Sequence, residues 1–109
     1  MRPIRLDLLI HEIEYLEYDG SDEWGEAWKA PILIKRVKVD EGSRFNRYSN
    51  TEVIAHLNTV FVDGVHSYPK VNWVEKSKVR FKGKETTVKV VKTFQTTPDK
   101  VHHWEVECD

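Results

Sequence analysis

Wherever apolar residues recur regularly in this chain they recur at every second position, and no stretch carries the 3.6-residue period of an amphipathic helix. Alternation of this kind describes strands with one wet face and one dry face. The residue types agree with the period. Valine occurs 14 times against six leucines and three alanines, and 12 aromatics are spread along the chain; branched and aromatic side chains suit a pleated surface and fill helices poorly. With 109 residues the chain has enough material for one compact core, so one domain over residues 1–109 is expected and a two-domain enzyme is not.

The segments follow from the alternation and from what interrupts it. Leu8 to Tyr18 reads as a first strand, broken by Asp19-Gly20-Ser21-Asp22 in a connection, a hairpin loop that continues to Gly25, with Trp24 and Trp28 capping it against the core. Pro31 introduces a second strand, Ile32 to Val39, where Leu33, Val37 and Val39 share a face. Lys35 falls on the same face, and a bulge near Lys35 or Arg36 repairs the register. Asp40 to Thr51 is polar and reads as a long loop. Strand character resumes from Glu52 to Asp63, and Gly64 to Ser77 forms a second long connection with room for a helical turn. Lys78 to Thr93 is a hairpin turning at Gly83, with Val88 and Val90 on one face of its return strand. Val101 to Cys108 is the last strand, with His102, Trp104, Val106 and Cys108 on one side and His103, Glu105 and Glu107 on the other. The expected fold is therefore mainly β, a small antiparallel β-barrel or sandwich of five to seven strands with two long loops.

Charge is balanced in total and divided along the chain. Seventeen Lys and Arg face 18 Asp and Glu, a net of −1, which argues against a protein whose main work is wrapping nucleic acid. Yet Asp7 to Trp28 holds eight acids and no Lys or Arg, whereas Lys76 to Lys92 holds seven bases and one acid, Glu85. Glu12, Glu14 and Glu17 on the first strand, and Lys78, Arg80, Lys82 and Lys84 on the hairpin, form opposed rows suited to head-to-tail contact between identical copies. The basic row also suits phosphates, which keeps a small nucleic-acid-binding β-barrel as the alternative, with Phe81 among its stacking groups.

Catalytic and metal chemistry find little support. Gly83-Lys84-Glu85-Thr86 lacks the upstream glycine and following helix of a phosphate-binding loop and reads as a hairpin turn. His103, Glu105 and Glu107, with His11 or His56, offer metal-ligand types without a spacing that fixes the set. Glu12 with Glu14, and Asp63 with His66 and Ser67, are pairings that any chain this charged supplies. The lone cysteine, Cys108, permits no intrachain disulfide, sits where a mobile terminus is expected and makes a poor nucleophile. The short, interrupted apolar run at the N-terminus is neither a signal peptide nor a membrane span, so an intracellular chain without cofactor or membrane is expected.

Several strings, taken in order, carry a likeness: Leu8-Leu9-Ile10-His11-Glu12, Asp22-Glu23-Trp24-Gly25, Val37-Lys38-Val39-Asp40 with Phe45 soon after, Val60-Phe61-Val62-Asp63, Ser77 to Glu85, and Val101-His102-His103-Trp104-Glu105-Val106-Glu107. The chain resembles the phage minor capsid protein family of tailed phages and prophages, and its hairpin and final strand are similar to those of stopper-type head-tail connectors. The resemblance implies a non-enzymatic virion protein, present in the host cytoplasm before assembly. It further implies a β-barrel that forms a homo-oligomeric ring between portal or adaptor and tail, with a long loop able to touch packaged DNA. The matching loop is Asp40 to Thr51, whose Arg44, Phe45, Arg47 and Tyr48 are the candidate channel or partner residues; two arginines and the Asn72-Trp73 pair depart from the usual family form.

Overall fold

The computed structural model describes the backbone of residues 2–46 and 53–109, and side chains outside 43–57. Among the described residues eight strands follow one 3-10 turn, Leu6–Leu8: β1 His11–Leu16, β2 Tyr18–Asp22, β3 Gly25–Trp28, β4 Ile32–Asn46, β5 Val53–Asp63, β6 Lys78–Phe81, β7 Lys84–Thr97 and β8 Lys100–Cys108. Six of them close an antiparallel barrel in the order β1-β4-β5-β8-β7-β6, sealed where β6 returns to β1 through Glu14↔Arg80, Tyr15↔Val79 and Leu16↔Lys78. The remaining pair, β2 and β3, forms a separate two-stranded sheet. Closure removes the open edges that an exposed sheet would present.

Valine fills the interior. Val37, Val39, Val60, Val62, Val79, Val88 and Val106 pack with Ile13, Ile34, Tyr15 and Cys108, all nearly inaccessible. A six-stranded barrel is too narrow for a cavity, and short branched side chains fill it without strain.

Bulges decide which residues point inward. Opposite the step from His11 to Glu12, β4 advances from Val37 to Lys35 and leaves Arg36 as an extra residue at φ 62°. The expected bulge is present, but it inverts parity before it: Ile34 is buried, whereas Leu33 and Lys35 face outward. A second bulge at Lys89, between Val88↔Cys108 and Val90↔Glu107, has the same effect. Val88 is buried, Val90 is exposed and Val91 packs on the core, so Val88 and Val90 do not share the inner face.

Two connections expected from the sequence are strands. Asp19 to Asp22 belongs to β2 and pairs with β3 through Ser21↔Glu26 and Asp22↔Gly25; the break proposed there is the wet ribbon of a hairpin that covers no core. Likewise residues 40–46 of the expected loop are the end of β4, paired residue by residue with β5 up to Asn46↔Val53. A two-stranded ribbon outside a barrel has no dry face, so alternation cannot reveal it. Arg47 to Thr51 lie outside the described residues. Gly64 to Ser77 is indeed a long connection, joined to β4 by the bridge Lys35↔Tyr68, and has turns but no helix.

Tyr15 anchors that connection. Its buried hydroxyl donates to the Asn72 carbonyl at 2.7 Å, accepts from the Val74 N–H at 2.9 Å and meets the Ser77 hydroxyl at 3.1 Å, while its ring lies 4.5 Å from that of Trp73. Tyr15→Phe keeps the ring and strands these partners, so a loss of about 2 kcal/mol is expected. It will be read as a lower urea midpoint at unchanged slope.

Candidate functional site

Register sets where the hairpins leave the barrel. β5 pairs with β8 from Asn58↔Cys108 to Asp63↔His103, and β4 pairs with β1 no further than Val37↔His11. From Gly42↔Leu57 to Asn46↔Val53 the β4–β5 hairpin therefore has no third strand, and five such pairs span about 17 Å. It departs at the barrel end where β8 stops. The β7–β8 hairpin runs beyond β5 at the opposite end, through Gln95↔Val101 and Thr97↔Lys100. Arg44 and Phe45 are placed on the first ribbon, opposite Ala55 and Ile54. Arg47 and Tyr48 fall outside the described residues.

The turn between β6 and β7 lies at the same end as the β4–β5 ribbon. Lys82 and Gly83 turn it at φ 50° and 76°, the positive values that a tight two-residue hairpin needs. Lys82 sits 5.1 Å from the Phe81 ring, and Lys84 begins β7 as an exposed residue.

The acidic and basic rows are neighbours within one barrel. Because β1 pairs with β6, Glu14 stands beside Arg80, with 3.9 Å between Oε2 and Nη1; Arg80 Nε also bonds Glu85 at 3.0 Å, and Lys78 lies 3.7 Å from Glu85. The Arg80 hydrogen bond leads the effects that hold the Glu85 carboxyl below its ordinary pKa. Glu17 pairs with Lys29 at 2.6 Å, and that contact raises the lysine pKa. Part of the complementarity read from the sequence is thus met inside the chain. Glu12 makes no ion pair among the described residues.

The polar pairings that suggested catalysis hold backbone in place. Buried Asp63 accepts from the backbone N–H groups of Ile4 and Val65 at 2.8 Å and of His66 at 2.7 Å. The Ser67 hydroxyl accepts from the Asp63 N–H at 2.8 Å and donates to the Arg36 carbonyl, which fixes the bulge. Lys70 donates to the Ser67 and Asp63 carbonyls at 2.7 and 3.3 Å. Asp63 meets His66 through its amide, not its imidazole, and among the described residues Ser67 Oγ bonds backbone groups alone, with no histidine, lysine or carboxylate side chain on it.

His11 is likewise structural. Its Nδ1 accepts from the Val39 N–H at 3.0 Å, and its ring meets Phe81 edge-on at 4.9 Å. Burial, then Lys38 and Lys82, lower its pKa and favour the neutral imidazole that this acceptor role requires. On β8, His103 stacks on Phe94 with ring centroids 4.5 Å apart and bonds Glu105 at 3.2 Å. Among the described residues no group of three His, Cys, Asp or Glu is arranged to hold a metal. Cys108 is not on a mobile end: Thr87 and Asp109 exchange backbone bonds of 2.8 and 3.0 Å beyond it, and burial pushes its thiol pKa up to about 11. At neutral pH it is a protonated core side chain. No helix among the described residues is long and apolar enough to cross a membrane.

The site is thus a set of surfaces around a sealed barrel, suited to contact with other macromolecules. No curated protein matches the chain. Residues 4–108, nearly its whole length, match the minor capsid protein family, so the chain belongs to that family and is a structural component of a phage virion.

Proposed function

We propose that this minor capsid protein acts at the head-tail junction, as a stopper-like ring that completes the DNA-filled head between portal or adaptor and tail. The observation that carries the reading is the departure of extended hairpins from opposite ends of one closed barrel, β4–β5 at one end and β7–β8 at the other. A subunit stacked between two rings needs contacts above and below, and a rigid barrel with a ribbon at each end supplies both. The β4–β5 end meets DNA: Arg44 and Phe45, then Arg47 and Tyr48 in the chain, approach the channel, with Lys82 and Lys84 of the neighbouring turn facing phosphates. Lys78 and Arg80 organise that hairpin through Glu85 and Glu14, and Glu12 is left to meet a neighbouring copy, with Glu14 and Glu17 engaged within the chain. Function here is binding energy and order, without cofactor or catalysis, and the chain waits in the host cytoplasm until the portal ring is ready.

Genetic complementation tests this directly. A phage with this gene stopped early should accumulate separate heads and tails, and adding purified protein to that lysate should restore infectious particles. A mutant that makes no heads at all would place the protein in shell assembly and remove the junction reading.

A further inference from the structure

The β2–β3 hairpin carries Trp24 at its tip, 88% exposed. At the tip the Asp22 carboxylate accepts from the Trp24 N–H at 2.8 Å, and Gly25 turns at φ 109° with open space around it. The base is fixed to the barrel, since the Tyr18 N–H donates to Ser77 Oγ at 2.9 Å, Trp28 Nε1 donates to the Lys76 carbonyl at 2.9 Å, and Lys78 lies 4.0 Å over the Trp28 ring. Trp24 and Trp28 therefore do not jointly cap the core. Trp28 pins the hairpin and Trp24 points into solvent. Around it stand Asp19, Asp22, Glu23 and Glu26, with no base between Tyr18 and Trp28.

On the barrel wall lies an open groove of about 370 Å³ lined by Ile4, Leu8, Lys38, Phe61, His102 and His103, with almost no polar surface. The N-terminal strap forms its far side, held by the Ile4–Asp63 bond and by the Arg2 carbonyl on His102 Nε2. Leu8 is 52% exposed. Lys38 makes no ion pair among the described residues.

Strand order sets these two features apart. The hairpin base rests at the seam of β1 and β6, and the groove at the seam of β5 and β8 with Lys38 of β4 beside it. In a closed order β1-β4-β5-β8-β7-β6 those seams are diametrically opposed, so one chain cannot bring its own Trp24 to its own groove. Both lie toward the same barrel end, since β1 finishes and β8 begins there. An acidic, tryptophan-tipped hairpin on one side and an apolar groove with lysine and histidines on the other are complementary and different, which is the condition for head-to-tail association, the type of contact that builds a ring when the rotation between copies closes.

We propose that Trp24 of each copy inserts into the groove between Leu8 and Phe61 of the next copy, with the hairpin's carboxylates beside Lys38, and that this is the repeated contact of the ring. The proposal rests on the ring reading above and names its interface. A buried tryptophan at the centre of an interface commonly carries a large share of its binding energy.

The test uses phage particles carrying the double variant Glu23→Cys with Leu8→Cys, which keeps Trp24. Mild oxidation should give a ladder of disulfide-linked multimers of this chain on a non-reducing gel, and each single variant should not. A particle-bound protein that stays monomeric, or links to a different virion protein, overturns the contact while leaving the junction reading intact. In parallel, Trp24→Ala should fold with the parent's denaturation midpoint yet fall at least tenfold in copies per particle. Incorporation at the parental level overturns the proposal. Absence of the parental protein from particles would instead overturn the junction reading.

Discussion

Gly64→Ala is expected to destabilise the protein by about 3 kcal/mol or more, because the new methyl has nowhere to go. Built on the backbone, its Cβ would stand 2.0 Å from the Val101 carbonyl oxygen and 3.0 Å from that of His102. Both obstacles are backbone, so no rotamer change relieves them. The chain at Gly64 and the start of β8 must separate, and the Gly64 N–H bond to the His102 carbonyl, 2.8 Å in the native fold, goes with them. The glycine is required for space and not for a positive φ, so alanine fails even though its backbone preference is satisfied. Denaturant unfolding followed by tryptophan fluorescence measures the loss. A midpoint within error of the parent would show that Gly64 and β8 can separate cheaply.

Asp63→Ala should cost about 3 kcal/mol for a different reason. The carboxylate is the common acceptor of the Ile4, Val65 and His66 N–H groups, and alanine orphans all three at a partly buried site. The N-terminal strap should then lose protection from amide exchange, beginning at Ile4. A pH dependence accompanies this. Burial raises the Asp63 pKa, but the three backbone donors outweigh it and leave the carboxyl below its ordinary 3.8. The folded state therefore holds the proton less tightly than the unfolded chain. Its stabilising contribution is complete above the ordinary carboxylate pKa and disappears as pH falls through the lower, folded value. In acid titrations the stability gap between parent and Asp63→Asn should be constant near neutrality and narrow progressively as pH falls below 3.8. A gap unchanged down to the lowest pH would mean that charge on Asp63 is irrelevant.

The strands were legible because period two survives in any short window, as in Val60, Val62 and the C-terminal Val106 and Cys108. Parity was less so. The bulge in β4 is marked by Lys35 on an apolar face and the one in β7 by nothing local, and Arg36 and Lys89 each move the inner face by one position, to Ile34 in β4 and to Val91 in β7. Ribbons outside the barrel, residues 19–22 and 42–46, are held by pairing with a single neighbouring strand, which alternation does not mark. The acidic and basic rows were visible as composition, but nothing local announces that β1 closes onto β6, sixty residues away, and that Glu14 and Arg80 are neighbours. Trp24, beside a loop glycine, reads as a cap on the core, yet it is exposed. A flanking Asp22 that caps its amide and four surrounding carboxylates are the signals that pointed outward.

Closure of the barrel also has a mechanical side. A pull on the β4–β5 ribbon along its axis loads the β1–β4 and β5–β8 ladders together, and in shear, so that many hydrogen bonds must yield at once instead of opening one after another from an edge. With β6 sealed to β1, the load passes around the whole circuit of strands. The stopper role proposed above is better served by such a circuit than by an open sheet, whose outermost strand could peel.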